Sequence, residues 1–211
     1  TPLLEQKCQV AGYEEHWIPV LEQLLADVLY TPLSSDWLTA ERAPCLADIS
    51  HPKRLVEMEF MLPSKGLNAS KLNQIIRCYD PLSKPSSDLV FDDLKGMLKG
   101  FIDLIFEYQG RYYILDYKSN HLGNQPEDYR VEALEAAMLD HRYDLQYQLY
   151  TLALHRLLQT RLPAYDYELH FGGVFYLFLR GMKADSPGSG VFHCRPAIEL
   201  VEQLDQLFRE G

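Results

Sequence analysis

The chain has 211 residues, 47% hydrophobic and 24% charged, a composition that suits one globular domain with a core of its own. Its longest apolar run, residues 174–179, is far too short to span a bilayer, which argues against a membrane protein. A net charge of −10 argues against a domain that grips nucleic acid by bulk electrostatics.

The first ten residues, TPLLEQKCQV, show neither the charged start nor the apolar stretch of a secretory leader, and they lack an initiator Met. We expect a piece of a longer, cytoplasmic chain. Residues 17–29 have helical apolar spacing, with Pro19 in the first turn. Residues 31–53, rich in Pro, Ser and Asp, read as loop with room for a short helix. Residues 55–62 alternate and stop at Pro63, which predicts a strand. A helix over 68–79 and a polar connector over 83–93 follow. Two strands, about 97–107 and 112–118, come next.

The Ala/Glu/Leu-rich stretch 127–142 contains no Gly or Pro and predicts a helix. Residues 144–159 are the strongest helix in the chain, with Leu145, Leu149, Leu152 and Leu157 among the apolar positions. Residues 173–179 form a continuous apolar run, hence a buried strand. A Gly/Pro/Ser loop over 183–190 and a terminal helix over 197–209 complete the chain. A hairpin followed by a helix and a buried strand implies one mixed sheet flanked by helices, an α/β domain.

The four cysteines, Cys8, Cys45, Cys78 and Cys194, form no CxxC, so a metal–thiolate or iron–sulfur site has no support. Reduced, mostly buried thiols are expected. The seven histidines form no ligand pair, and His121 is the one nearest the residues below. No P-loop and no GxSxG is present, so the chain offers no ATPase or serine-hydrolase site.

The informative stretch is GMLKGFIDLIFEYQGRYYILDYKSNHL, residues 96–122. If Gln109-Gly110 is a two-residue hairpin loop, residues whose numbers sum to 219 lie opposite one another, and Asp103 and Asp116 are such a pair. Their Cβ atoms are then about 5 Å apart on one face. Like charges so placed ask for a cation, and acidic residues among strong strand formers need a reason to be there. Lys118, two residues on, shares the face. Two carboxylates and an ammonium describe a Mg²⁺ site with a positive group beside it, as phosphodiester hydrolysis requires. The carbonyl of Tyr117 is a further hard oxygen. Gln146 and Tyr150 share a helix face at i, i+4, while Tyr143 and Tyr147 read as packing. Glu57 and Glu59 share a strand face, and Glu59 is a marginal addition to the site.

The stretches LKGFIDL, GRYYILDYKSNHLG, HRYDLQYQLYTLALHR and FGGVFYLFLRG occur in this order across most of residues 55–181. Together they resemble the RecB-family nucleases of the PD-(D/E)XK superfamily, more closely than at superfamily level. The resemblance implies a restriction-endonuclease-like αβββαβ core within a single domain over 1–211, preceded by a helical and loop region and closed by the terminal helix. It implies that Asp103, Asp116 and the Tyr117 carbonyl bind one or two Mg²⁺ ions and that Lys118 is the catalytic lysine. Gln146 and Tyr150 correspond to the family's QxxxY motif, which supports the site and touches DNA. The implied enzyme is a metal-dependent deoxyribonuclease of the exodeoxyribonuclease V type, within a helicase–nuclease that processes double-strand ends for recombinational repair. Its implied partners are the RecC and RecD subunits, RecA, and a single DNA strand delivered from the unwound duplex. Such delivery accounts for the acidic charge. The family also has a metal-binding histidine upstream of this core, and no residue here matches it; we expect it in preceding sequence. Two rival readings remain: a silent nuclease-fold module that binds partner proteins and loads a recombinase, and a phosphoesterase acting on RNA or nucleotides.

Overall fold

The computed structural model describes residues 2–34, 43–92, 94–186 and 188–210. Two helices, α1 (Pro2–Ala11) and α2 (Ile18–Tyr30), precede the sheet. β1 (Arg54–Leu67), β2 (Leu94–Tyr108) and β3 (Arg111–Lys118) pair antiparallel, with α3 (Ala69–Tyr79) between the first two. α4 (Val131–Asp140), α5 (Tyr143–Arg161) and the short α6 (Tyr167–His170) lead to β4 (Phe171–Phe178), which runs parallel to β3. β5 (Val191–Cys194) adds antiparallel at the far edge, and α7 (Ile198–Glu210) follows. The sheet is therefore mixed, in the order β1-β2-β3-β4-β5.

Helices cover both faces, which is why β4, near the middle of the sheet, is buried at all eight of its positions. On one face, Ile76 of α3, Met138 of α4, Leu154 of α5 and Leu204 of α7 pack against Ile102, Ile105, Ile114 and Val174. On the other, Val28 of α2 joins Leu46 and Ile49 against Leu104, Phe106, Leu115 and Phe175. This is the α/β class that the sequence implies, and within it β2 and β3 stop pairing with each other past Leu104 and Leu115.

Several boundaries differ from expectation. β1 does not stop at residue 62 but runs through Pro63, paired with Met97, to Leu67. An edge strand tolerates a residue without an N–H. The helix expected over 127–142 is broken, with a 3₁₀ turn at Pro126–Tyr129, an extended Arg130, and then α4. Pro126 opens the turn, so the first residues of that stretch belong to a separate element. Residues 31–53 contain two 3₁₀ turns, Leu46–Asp48 and His51–Lys53, while 35–42 lie outside the described residues. The helices α1 and α6 and the strand β5 were not anticipated.

All four cysteines are free, but only Cys8 is buried and Cys78 is exposed, which corrects the expectation of mostly buried thiols. Among the described residues no helix is long and apolar enough to cross a membrane.

Candidate active site

The site begins with the turn that fixes its register. Gln109 and Gly110 both have positive φ, 51° and 80°, the signature of a two-residue primed turn whose twist matches that of the flanking strands. β2 and β3 then pair Tyr108 with Arg111 through to Leu104 with Leu115, the register expected from the sequence. Glu107 braces the turn: its carboxylate accepts the Gly110 amide at 2.9 Å and lies 2.7 Å from Lys53 Nζ. Lys53 first, and the Gly110 amide second, hold this carboxyl below its ordinary range.

Beyond Leu104 and Leu115 the ladder ends. On the other side of β2, pairing goes from Val56–Leu104 to Met58–Ile102 and passes over Glu57 and Asp103; Glu57 has a φ of 51°. Ile102 and Ile105 lie in one core layer and Leu104 and Phe106 in the other. Strict alternation would put residues 102 and 105 on opposite faces, so the facing of β2 slips at Asp103 although its register with β1 is the same on either side. Asp103 is consequently not the direct ladder partner of Asp116 that the sequence predicts. Its carboxylate instead accepts the Tyr117 amide at 2.9 Å, filling the gap where the strands part.

Asp116 and Lys118 point to the same side, both nearly inaccessible, 3% and 8% exposed. Lys118 Nζ lies 2.7 Å from Asp116 Oδ2 and donates to Gln146 Oε1 at 2.9 Å. The Tyr176 hydroxyl donates to the same Gln146 oxygen at 3.0 Å, and Gln146 Nε2 donates to the Tyr150 hydroxyl at 2.7 Å. With its oxygen committed to two donors and its nitrogen to an acceptor, the amide has one satisfactory orientation. The Tyr150 proton is then available to Asp116, whose charged form this hydroxyl favours.

The electrostatics are opposed. Burial, above all, pushes the Asp116 carboxyl above its ordinary value; Lys118 pulls it down, and the charge of Asp103 pushes it up again. Burial, then the Asp116 charge, drives the Tyr150 hydroxyl well above the usual phenol range, so it remains a donor. Lys118 Nζ also sits 3.7 Å from the centroid of the Tyr143 ring and 5.0 Å from that of Tyr176.

The structure thus brings Asp103, Asp116, Tyr117, Lys118, Gln146 and Tyr150 together. It excludes Glu59, which lies opposite Phe101 on an exposed stretch of β1 and pairs with Lys99 at 3.1 Å. The cause is register: Glu59 is displaced from Asp103 along the ladder and already has a cation. His121 bonds Asn124 at 3.0 Å in a cleft of about 900 Å³ beyond the end of β3. Tyr147 packs, as expected, against Phe192 and bonds Asp80. Tyr143 does not merely pack, and Tyr176 was missed. The signal for Tyr176 was a single hydroxyl in an otherwise apolar strand.

A mixed sheet between helical layers, with two carboxylates and a lysine gathered where two strands part, is the architecture of a phosphodiester-cleaving domain. The chain belongs to the PD-(D/E)XK nuclease superfamily, whose family model matches residues 18–210. It is 49% identical over 206 residues to the RecBCD enzyme subunit RecB of Escherichia coli (strain K12), covering 97% of this chain and 17% of that protein. It is 44% identical over 209 residues to the subunit of the same name from Haemophilus influenzae, covering 99% and 17%. To that of Mycobacterium tuberculosis (strain H37Rv) it is 35% identical over 219 residues, covering 92% and 20%. The chain therefore spans about a sixth to a fifth of the length of these relatives.

Proposed function

We propose that this chain is the DNA-cleaving domain of a RecBCD-type helicase–nuclease and that it hydrolyses phosphodiester bonds with Mg²⁺ held by Asp103 and Asp116. The observation that carries the reading is the closed set of contacts joining Asp116, Lys118, Gln146 and Tyr150 at the point where β2 and β3 separate. A buried lysine–carboxylate pair is a poor source of stability, because desolvation offsets most of the attraction. Its presence at a strand end supports a chemical role.

The donor set suits the ion. Two carboxylates close enough for one to raise the pKa of the other are relieved by a divalent cation, and hard oxygen ligands favour Mg²⁺. The Tyr117 carbonyl is the third candidate donor. When bound, the ion supplies Lewis-acid polarisation of the phosphate and a more acidic water. The chain's own residues do the rest. Asp103 and Asp116 fix the charge. Lys118, held by Gln146, places an ammonium beside the reacting phosphate to offset developing negative charge. Tyr150 donates to Asp116, which orients the carboxylate and favours its charged form.

RecC and RecD are the proposed partner subunits, RecA the proposed recipient of the processed strand, and the cytoplasm the proposed location. Delivery of a single strand by the rest of the assembly reconciles DNA chemistry with a net charge of −10. The test is cleavage of linear DNA by the intact protein after chelation and stepwise return of Mg²⁺, wild type against Lys118→Ala. Mg²⁺-restored cleavage that the variant loses supports the reading; cleavage indifferent to both overturns it.

A further inference from the structure

We propose that Tyr143 is a positioning residue for Lys118: its ring face keeps the ammonium in place when Asp116 turns toward a cation. The inference rests on the function proposed above. An ammonium has three protons. Asp116 Oδ2 and Gln146 Oε1 take two, and of the two rings beside the ammonium the Tyr143 ring is the nearer, its centroid 3.7 Å from Nζ against 5.0 Å for Tyr176. The first acceptor has two duties, since Asp116 is also the candidate ligand, and what it gives a cation it withdraws from Lys118. The second is shared with the Tyr176 hydroxyl. The ring's attraction is not divided in this way.

The surroundings make that attraction necessary. Tyr143 is the first residue of α5, and the first turn of a helix is the positive end of its dipole, the wrong sign for a neighbouring ammonium. An aromatic face offsets this, and more strongly in a site with little water. The ring is also preorganised. Its hydroxyl donates to Asn120 Oδ1 at 3.3 Å and His141 stacks at 5.3 Å. Arg142, in the left-handed region at φ 54°, clamps the buried Asp144 and so fixes the start of α5.

The test uses the intact protein with Tyr143→Phe, Tyr143→Leu, and phenylalanines at 143 carrying one, two or three ring fluorines, which drain the π face at nearly constant shape. Tyr143→Phe should keep kcat within about threefold, and Tyr143→Leu should lower it about tenfold or more at little-changed KM. Log kcat should step down with each fluorine. Independently of cleavage, hydrogen-exchange protection of β3 in metal-free protein should show coupling between Tyr143→Leu and Lys118→Met, the pair costing less than the sum of the singles. A flat fluorine series, a loss confined to KM, or additive protection overturns the proposal. The fluorine series decides even if the leucine variant does not fold. Asp116→Ala in the same assay separates the two levels: if it abolishes cleavage while the fluorine series is flat, the nuclease reading stands and only the role of Tyr143 falls.

Discussion

The Asp103 carboxylate accepts the Tyr117 amide at 2.9 Å, at the point where β2 and β3 cease to pair. One side chain thus closes the end of a ladder and presents charge to the site. The two roles separate by substitution. Asp103→Asn keeps an acceptor for the amide but loses the charge, so the urea midpoint should hardly move while cleavage falls at least about a hundredfold. Asp103→Ala should lose cleavage and also about 1 kcal/mol of stability, for want of the acceptor. Cleavage at the wild-type rate by the asparagine variant would show that the charge is dispensable.

Glu107 gives a pH dependence of definite sign. Its folded pKa is lowered below the ordinary 4.5, first by Lys53 and then by the Gly110 amide. Its stabilisation is therefore fully present above 4.5 and lost as the pH falls through the lowered value. Glu107→Gln should be less stable than wild type at neutral pH by about 0.5 kcal/mol, a modest figure because the pair is partly solvated. Urea titrations should show the gap closing in acid; a gap that widens there would contradict the assignment.

The hairpin turn should respond to backbone preference alone. No atom lies within 4 Å of where a Cβ at Gly110 would sit, so Gly110→Ala meets strain at φ 80° rather than a clash. It should cost about 1 kcal/mol. Gln109→Asn, suited to the left-handed φ of 51°, should gain about 0.5 kcal/mol. Opposite shifts in the melting temperatures of the two variants are the expected result, and equal shifts would argue against a primed turn.

Gly100 connects packing to the site. A Cβ there would fall 2.5 Å from Phe60 Cζ, and the Phe60 ring meets Tyr150 edge-on at 5.6 Å. Gly100→Ala must displace that ring toward or away from Tyr150. We expect a loss of about 1–3 kcal/mol together with reduced cleavage, and partial recovery of both when Phe60→Leu makes room. Loss of stability with cleavage untouched would show that Tyr150 is insulated from Phe60.

Much of this was legible in the sequence because a two-residue loop leaves register little freedom, and because Asp103, Asp116 and Lys118 stand out among apolar neighbours. What stayed hidden depends on other strands and helices. The break in pairing at Asp103 is shared with Glu57 of β1, and alternation within β2 alone cannot reveal it. Tyr176 lies in a run buried on both faces, where periodicity does not say which side chain meets α5. Tyr143 sits one residue before the start expected for that helix, so it had no assigned face. α1 buries only Cys8, and a helix with so little core contact leaves a faint pattern. β5 has four residues, too few for alternation to register.

The central claim is that cleavage happens at Asp116 and unwinding does not. The most direct measurement follows both activities on linear duplex DNA with Mg²⁺, in the intact protein and its Asp116→Ala variant. The account predicts that the variant unwinds at the wild-type rate and leaves the strands uncut. Undiminished cleavage would contradict it and leave a silent, partner-binding nuclease fold as the better description.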